Sequence, residues 1–204
     1  MTTILSRLLM RRTLLLTPLL LLASCGATPK AVNPDPNHTH ADFAIWMDGK
    51  QLDFSSPEFM SGSSDEHDEE HTRLDQYFHL HDGNGHVIHR HKPGLTLKEF
   101  FTTLKVGISG SCYSSGIPGA DGEVCSDHPF RLFVNGTEQP FDDLSYVFQD
   151  TDKILITTAS DDAEVAAELS KSTDDACLYS KTCPERGDPP TENCIADPTV
   201  PCKQ

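Results

Sequence analysis

The chain has 204 residues, of which 31 are Asp or Glu and 16 are Lys or Arg, so its formal net charge is −15. A surface this acidic repels the phosphate backbone of DNA or RNA, and we therefore expect no nucleic-acid partner. The length is sufficient for one domain of ordinary size with tails.

The first 25 residues have the order of an export signal. Basic residues up to Arg12 precede an apolar stretch over residues 14–22, which is too short for a membrane span. The stretch ends in Leu22-Ala23-Ser24-Cys25, which resembles the lipobox of bacterial lipoproteins. The resemblance implies that residues 1–24 are a removed signal peptide. It also implies that a lipid on Cys25 anchors the protein to a membrane, extracytoplasmically, on the periplasmic face or the cell surface of the envelope.

Cleavage after Ser24 would make the mature chain more acidic. It removes three arginines and no acidic residue, which leaves 13 basic against 31 acidic side chains and a net charge of −18. Two alternatives are a twin-arginine export signal at Arg11-Arg12 and an ordinary signal peptide without lipidation. Residues 25–37, rich in Pro and small residues, are predicted to form a tether.

The folded domain is predicted to span residues 38–160 and to begin with two hairpins. In the first, residues 43–47 alternate like a strand, Asp48-Gly49 forms a tight turn, and residues 50–54 return. The second runs from residue 77 to residue 91 around an Asp-Gly-Asn-Gly turn.

A helix follows the second hairpin. Thr96 and Glu99 have the spacing of a capping box. The i, i+3, i+4, i+7 spacing of one apolar face is occupied by Leu97, Phe100, Phe101 and Leu104. We therefore expect one helix that packs this face against a sheet.

The remaining elements are predicted from turns and apolar runs. Residues 107–128 are expected to form a loop closed by a disulfide. A hairpin at Asn135-Gly136 follows the strand at 130–134, and a last strand covers 153–158. Residues 161–204 are expected to form a short helix, from residue 163 to residue 170, and a Cys/Pro-rich tail.

This order of hairpin, helix, hairpin and final strand resembles the β-grasp fold of ubiquitin-like and sulfur-carrier proteins. The segments that carry the resemblance are LTLKEFFTTL at 95–104, LFVNGTEQP at 132–140 and the acidic turn before KILI at 153–156. It implies an α+β, β-grasp-like mixed sheet with one packed helix. The chain lacks the terminal Gly-Gly of sulfur carriers, so their chemistry is not implied, and the inserts at 55–76 and 107–128 are long. The chain also resembles uncharacterised secreted His-rich bacterial proteins, for which no activity is established.

Six cysteines remain besides Cys25, an even number that suits disulfides in an oxidising compartment. We predict a Cys112–Cys125 bridge, with Cys177, Cys183, Cys194 and Cys202 paired among themselves. A zinc site in the tail is the weaker alternative, because no CxxC occurs there.

The histidines are the main candidates for function. His79 and His81 on one strand of the second hairpin, and His89 and His91 on the other, are each spaced two apart, so each pair shares a face. All four face one way if residue 81 pairs with residue 87, and the pairs separate if it pairs with residue 86. The first register is preferred because it gives the better apolar face.

Clustered imidazoles on adjacent strands predict a site for a transition metal ion, copper or zinc, with nickel as a third candidate. The preferred ligands are His79, His81 and His89, followed by His91, His40 and His38. His67 and His71 fit an HxxEH metallopeptidase pattern, but they lie in an acidic segment, residues 61–72, with no apolar face. We interpret that match as chance.

The sequence therefore predicts a non-enzymatic envelope protein that captures, stores or senses a metal ion. Its expected partners are the membrane, through the lipid, and the ion, with an envelope protein as a further candidate. The alternative is an interaction module in which the histidines are structural.

Overall fold

The computed structural model describes residues 31–60, 74–117, 122–188 and 190. The strands are β1 Thr39–Met47, β2 Lys50–Gln51, β3 Phe78–His79, β4 Val87–Arg90, β5 Val106–Ser109, β6 Cys112–Ser115, β7 Val124–Cys125, β8 Arg131–Val134, β9 Thr137–Gln139 and β10 Asp152–Thr157. The helices are α1 Leu97–Thr103, α2 Asp162–Leu169 and α3 Ala176–Tyr179, with 3-10 turns at Pro57–Phe59 and Pro184–Arg186. Outside the described residues lie the predicted signal peptide, Cys25, the acidic segment at 61–72, Cys194 and Cys202.

The structure is α+β and is built around β1. This strand pairs antiparallel with β4 and parallel with β10, while its end pairs with β2. The large mixed sheet has the order β3-β4-β1-β10-β8-β9. All nine residues of β1 are buried, so both faces of the sheet are covered at its centre.

The first predicted hairpin is confirmed at its turn, where Asp48 and Gly49 have φ of 51° and 73°, the left-handed values of a two-residue hairpin. The predicted return strand at 50–54 was too long, because β2 ends at Gln51. Phe54 is buried in the core, and the Asp53 carboxylate accepts a hydrogen bond from the backbone N–H of Ser55. These interactions turn the chain away from β1.

The second hairpin has the preferred register. Phe78 pairs with Arg90 and His79 with His89, which sets residue 81 opposite residue 87. Gly85 in its loop approaches the backbone of Phe54 so closely that a Cβ would lie 2.4 Å from the carbonyl carbon. The hairpin is thereby held against the chain that follows β2.

Helix α1 covers one face of the sheet as predicted. The capping box is formed, since the Glu99 carboxylate accepts from the backbone N–H of Thr96 at 2.7 Å and the Thr96 hydroxyl accepts from that of Glu99. Its apolar face is buried, and the Phe100 ring lies 5.2 Å from the ring of Phe43 and 5.1 Å from that of Phe78. This side is the main hydrophobic core.

The expectation of a loop at 107–128 was wrong, because β5, β6 and β7 form a second, three-stranded antiparallel sheet there. The strands are only two to four residues long, and β6 and β7 carry no clear alternation of apolar and polar residues. The predicted Cys112–Cys125 disulfide is present and joins directly paired residues of β6 and β7.

The segment after β10 covers the opposite face of the sheet. Helix α2, close to the predicted bounds, buries Val165 against a small cluster that contains Ala44 and Trp46 of β1. Helix α3 also contacts β1, and a Cys177–Cys183 disulfide follows within this segment. That bridge agrees with the prediction that the last four cysteines pair among themselves.

Candidate metal centre

Three neighbouring strands place histidines on the face opposite α1. His79, His89 and His40 are successive partners across β3, β4 and β1. Directly paired residues project to the same face, and so do residues two apart along a strand. His81, His91 and His38 therefore join the same face.

The six imidazoles form a closed ring, which we call the histidine ring. Its members are His38, His40, His79, His81, His89 and His91. The centroid distances around it are 4.4 Å from His38 to His40, 4.8 Å on to His89, 3.9 Å to His81, 5.8 Å to His79, 5.0 Å to His91 and 4.1 Å back to His38. All six sequence-predicted ligands are thus brought together.

The ring is mostly buried. His40, His79, His89 and His91 are at most 4% exposed, whereas His38 is half-buried and the His81 side chain is 17% exposed. Solvent therefore reaches the ring at His38 and His81. An incoming ion would meet these two side chains first.

Nitrogen atoms of the ring lie at distances that suit a metal ion. His38 Nε2 is 3.1 Å from His40 Nε2, and His81 Nε2 is 3.2 Å from His89 Nδ1. Ligand nitrogens of His38, His40 and His89 all lie within 4.8 Å of one another. A tetrahedral ion with bonds of 2.0–2.1 Å would set two ligand nitrogens about 3.3 Å apart.

Oxygen atoms outside the ring fix the orientation of three imidazoles. The Nδ1 atoms of His79 and His81 bond to the carbonyl of Asp75 at 2.7 Å and to the carboxylate of Asp82 at 2.8 Å. His40 Nδ1 bonds to the hydroxyl of Ser180 at 2.8 Å, and that hydroxyl donates to Asp150 at 2.5 Å. Because these oxygens act as acceptors, each of the three imidazoles carries its proton on Nδ1, and Nε2 is the nitrogen that bears the lone pair.

The segment after β10 covers the ring. The ring of Tyr179 lies 4.7 Å from that of His89 and 5.5 Å from that of His40, and its hydroxyl accepts from Asn84. Ser180, the next residue, contacts His40. The sequence does not identify Tyr179 and Ser180 as site residues, because their segment has only the pattern of a short helix followed by a Cys/Pro-rich tail. The short spacing of Cys177 and Cys183 was the available signal for a pinned loop.

Asp42 holds the segment after β10 in place over the histidine ring. Its buried carboxylate accepts hydrogen bonds from the Thr173 hydroxyl at 2.5 Å and from the backbone N–H groups of Asp175 and Ala176 at 2.8 and 3.0 Å. Charged acceptors of this kind form the stronger hydrogen bonds in proteins. The start of α3 is thereby bound to β1, two residues from His40.

A buried arginine, Arg90, lies between His89 and His91 in the chain and projects to the other face of β4. Arg90 donates to the hydroxyl of Thr39 and lies over the ring of Phe148. Burial lowers the pKa of its guanidinium, and the nearby charges of Asp150 and Asp152 oppose that shift.

Other candidate groups lie apart from the ring. His86 bonds to Asp175 at 3.0 Å and His128 is exposed. Cys112, Glu123 and Cys125 also lie close together, but the two sulfurs are joined in a disulfide and offer no thiolate to an ion. His67 and His71 lie outside the described residues.

No known protein family, curated protein or solved structure matches this chain. Among the residues that the structure describes, no helix has the length and apolar character needed to cross a membrane.

Proposed function

We propose that this protein binds copper or zinc through the histidine ring, as a lipid-anchored extracytoplasmic protein that captures, stores or senses the ion. The observation that carries the proposal is the closed ring of six imidazoles, in which oxygen acceptors hold Nδ1 of His40, His79 and His81. Neutral imidazole is a preferred ligand of zinc and copper, and nickel has similar preferences.

The proposed scaffold is β-grasp-like. The order β4-β1-β10-β8-β9 contains the central parallel pair β1 and β10, with α1 between β4 and β8 in the chain. That arrangement supports the proposal and explains the site. The histidines lie on or next to β3, β4 and β1, the three strands at one end of the sheet order.

The proposed role is binding without catalysis. A hydrolytic zinc site needs an open position and a general base. Two carboxylates near the ring are engaged otherwise, Asp82 with His81 and Asp150 with Ser180. Both act as acceptors that orient a histidine.

The proposed location is the cell envelope, with the lipid on Cys25 as the membrane contact. The Cys112–Cys125 and Cys177–Cys183 disulfides support an oxidising compartment. An envelope protein that delivers or receives the ion is the further partner proposed.

Elemental analysis tests the metal assignment. The chain from residue 26 onward, purified without an affinity tag or chelator, should contain copper, zinc or nickel, or take up added copper or zinc. The double variant His40→Asn and His89→Gln removes two central nitrogens and should abolish binding. His86→Gln and His128→Gln are matched controls outside the ring and should bind normally. Circular dichroism reports whether each variant is folded.

The competing function is an envelope interaction module with structural histidines. The specific observation in its favour is that 3.1 and 3.2 Å are also hydrogen-bond distances, so imidazoles can satisfy one another. A folded, metal-free protein that ignores added copper and zinc would overturn the metal proposal and support this one.

A further inference from the structure

A cavity of about 460 Å³ lies at the end of the sheet where β1 begins and β4 ends. We call it the Arg90 cavity. Its lining includes Arg90 and Thr39 from these strand ends, Val32 from the segment before β1, Asp150 from the loop before β10, and Thr182 from the segment after α3. Cavities of this size hold small molecules in other proteins.

Arg90 brings a buried positive charge to the cavity. Its side chain is 6% exposed, and its Nε donates to the hydroxyl of Thr39 at 3.1 Å. Its Nη1 has no hydrogen-bond partner among the described residues, and Asp150 and Asp152 act on it through charge alone. Arginines as buried as this one are almost always paired, and a guanidinium binds a carboxylate through two parallel hydrogen bonds. The preferred partner for Arg90 is therefore the carboxylate of a ligand.

Thr182 brings a second buried donor to the same cavity. Its side chain is 7% exposed, and its Oγ1 has no hydrogen-bond partner within the described part of the chain. Burial of a hydroxyl without a partner costs free energy, and a hydroxyl can donate to a carboxylate. Two separate elements thus direct buried donors toward one small volume.

Asp150 gives the cavity a charge of the opposite sign. Its Oδ1 accepts from the backbone N–H of His40 at 3.0 Å and from the hydroxyl of Ser180 at 2.5 Å. Its Oδ2 accepts no hydrogen bond from a described residue, so it remains able to bind an ammonium group. One guanidinium beside one carboxylate favours a ligand with one charge of each sign over a doubly negative phosphate.

An apolar wall completes the cavity. Val32 is 84% exposed and is one of two large apolar side chains with such exposure among the described residues. Ala31 and Pro36 lie beside it in the lining. Exposed apolar surface next to paired polar groups is typical of a site that also contacts the hydrocarbon part of its ligand.

We infer that the Arg90 cavity binds an α-amino acid with a small aliphatic side chain. The ligand carboxylate binds Arg90 and Thr182, the ammonium group faces Asp150, and the aliphatic side chain packs on Val32. The inference is independent of the proposed metal site, because Arg90 projects to the face of β4 opposite the histidine ring.

Calorimetric titration with L-leucine tests the inference. The chain from residue 26 onward is first stripped of metal with a chelator and returned to chelator-free buffer, so that the amino acid cannot bind through an ion. We expect saturable binding of one equivalent. Two analogues test the two charges, 4-methylpentanoate without the ammonium group and isoamylamine without the carboxylate. Each should bind at least about tenfold more weakly than L-leucine.

Two variants locate the binding. Arg90→Gln should weaken L-leucine by more than about a hundredfold, because it removes the charge and the paired donors. Thr182→Val removes a hydroxyl that bonds to no described residue, so the variant is expected to fold, and it should weaken L-leucine about tenfold. Arg131→Gln, which changes an arginine outside the cavity, is the matched control and should bind as the parent does. Circular dichroism reports whether each variant is folded.

The remaining outcomes would overturn the inference. Equal binding of 4-methylpentanoate and L-leucine would make the cavity a simple carboxylate site. Displacement of L-leucine by equimolar inorganic phosphate would make it a general anion site. Unchanged affinity in Thr182→Val and in folded Arg90→Gln would place the ligand elsewhere, and no binding of L-leucine to the folded parent would remove the site altogether.

Discussion

The two faces of β1 are both buried, but they are buried in different ways. Toward α1 the strand presents Ala41, Phe43 and Ile45 to the main apolar core. Toward the segment after β10 it presents His40 and Asp42, followed by a small apolar cluster around Trp46. The first face is buried by apolar contact, whereas the polar part of the second is buried by hydrogen bonds to a distant segment. Stability is therefore expected to depend mainly on the first face and function on the second.

Phe100→Ala should give the largest effect on stability, because it removes a fully buried ring that contacts Phe43 and Phe78. We expect the free energy of unfolding to fall by about 3–5 kcal/mol, measured by urea denaturation. Metal affinity of the folded fraction should be unchanged. Phe141→Ala, at a half-buried position, should cost less. If Phe100→Ala also weakened metal binding by a similar free energy, the two faces of β1 would not contribute separately to stability and to metal binding.

The two disulfides are both expected to stabilise the protein, but only one of them is expected to affect metal binding. Replacing Cys112 and Cys125 with Ser should cost about 3 kcal/mol and replacing Cys177 and Cys183 about 2 kcal/mol, from the lengths of the loops they close. Only the second pair of changes should weaken metal binding, because that bridge adjoins Tyr179 and Ser180. Calorimetric metal titration of both variants checks this. A loss of affinity in the first variant alone would contradict the division.

Asp42→Asn should loosen the segment after β10 from the face of the sheet that carries the histidine ring. The change removes the charge that accepts three hydrogen bonds from residues 173–176, and we expect a cost of about 2 kcal/mol. Hydrogen exchange should show faster exchange in α3 than in α1. Asp174→Asn, an exposed change in the same segment, is the control and should have little effect. Unaltered exchange in α3 would mean that Asp42 does not hold it.

Asp175 should contribute the smallest effect, one that depends on pH. Burial pushes its carboxyl pKa upward, but hydrogen bonds from Arg186 and His86 and their charges outweigh this, so the pKa is lowered. A lowered carboxyl pKa adds stability above the unfolded value near 3.9, and that stability is lost as pH falls through the folded value. Asp175→Asn should therefore cost less than about 1 kcal/mol at pH 7, and the cost should shrink as the pH falls through the folded pKa. A cost that does not change as the solution is acidified would point to packing instead.

The structure on the side of the sheet that faces α1 was predictable, because local sequence patterns specify it. The capping box at Thr96 and Glu99, the helical spacing of the apolar residues of α1, and the left-handed turn at Asn135-Gly136 are short-range signals that the structure reproduces. The register of the second hairpin was predictable from its pattern of apolar residues. Only one register buries Phe78, Leu80 and Ile88 together.

The structure on the side of the sheet that carries the histidine ring was predictable only in part. Spacing of two placed each histidine pair on one face, but the meeting of β1 with β4 depends on long-range pairing that no local pattern fixes. The contacts of Ser180 with His40 and of Asp42 with residues 173–176 span more than 130 positions. The small sheet at 107–128 was missed for another reason, since its strands are only two to four residues long and β6 and β7 lack alternation.

The long separations within the site have a consequence for the order of folding. Closure of long chain segments opposes the early formation of distant contacts, so local elements such as α1 and the second hairpin are expected to form first. The His40 side chain is oriented only when β1 and Ser180, at opposite ends of the described chain, come together. A nascent or truncated chain that lacks residues 173–183 would present histidines without this orientation. We therefore expect the proposed metal site to be complete only at the last step of folding, after the whole domain has been synthesised.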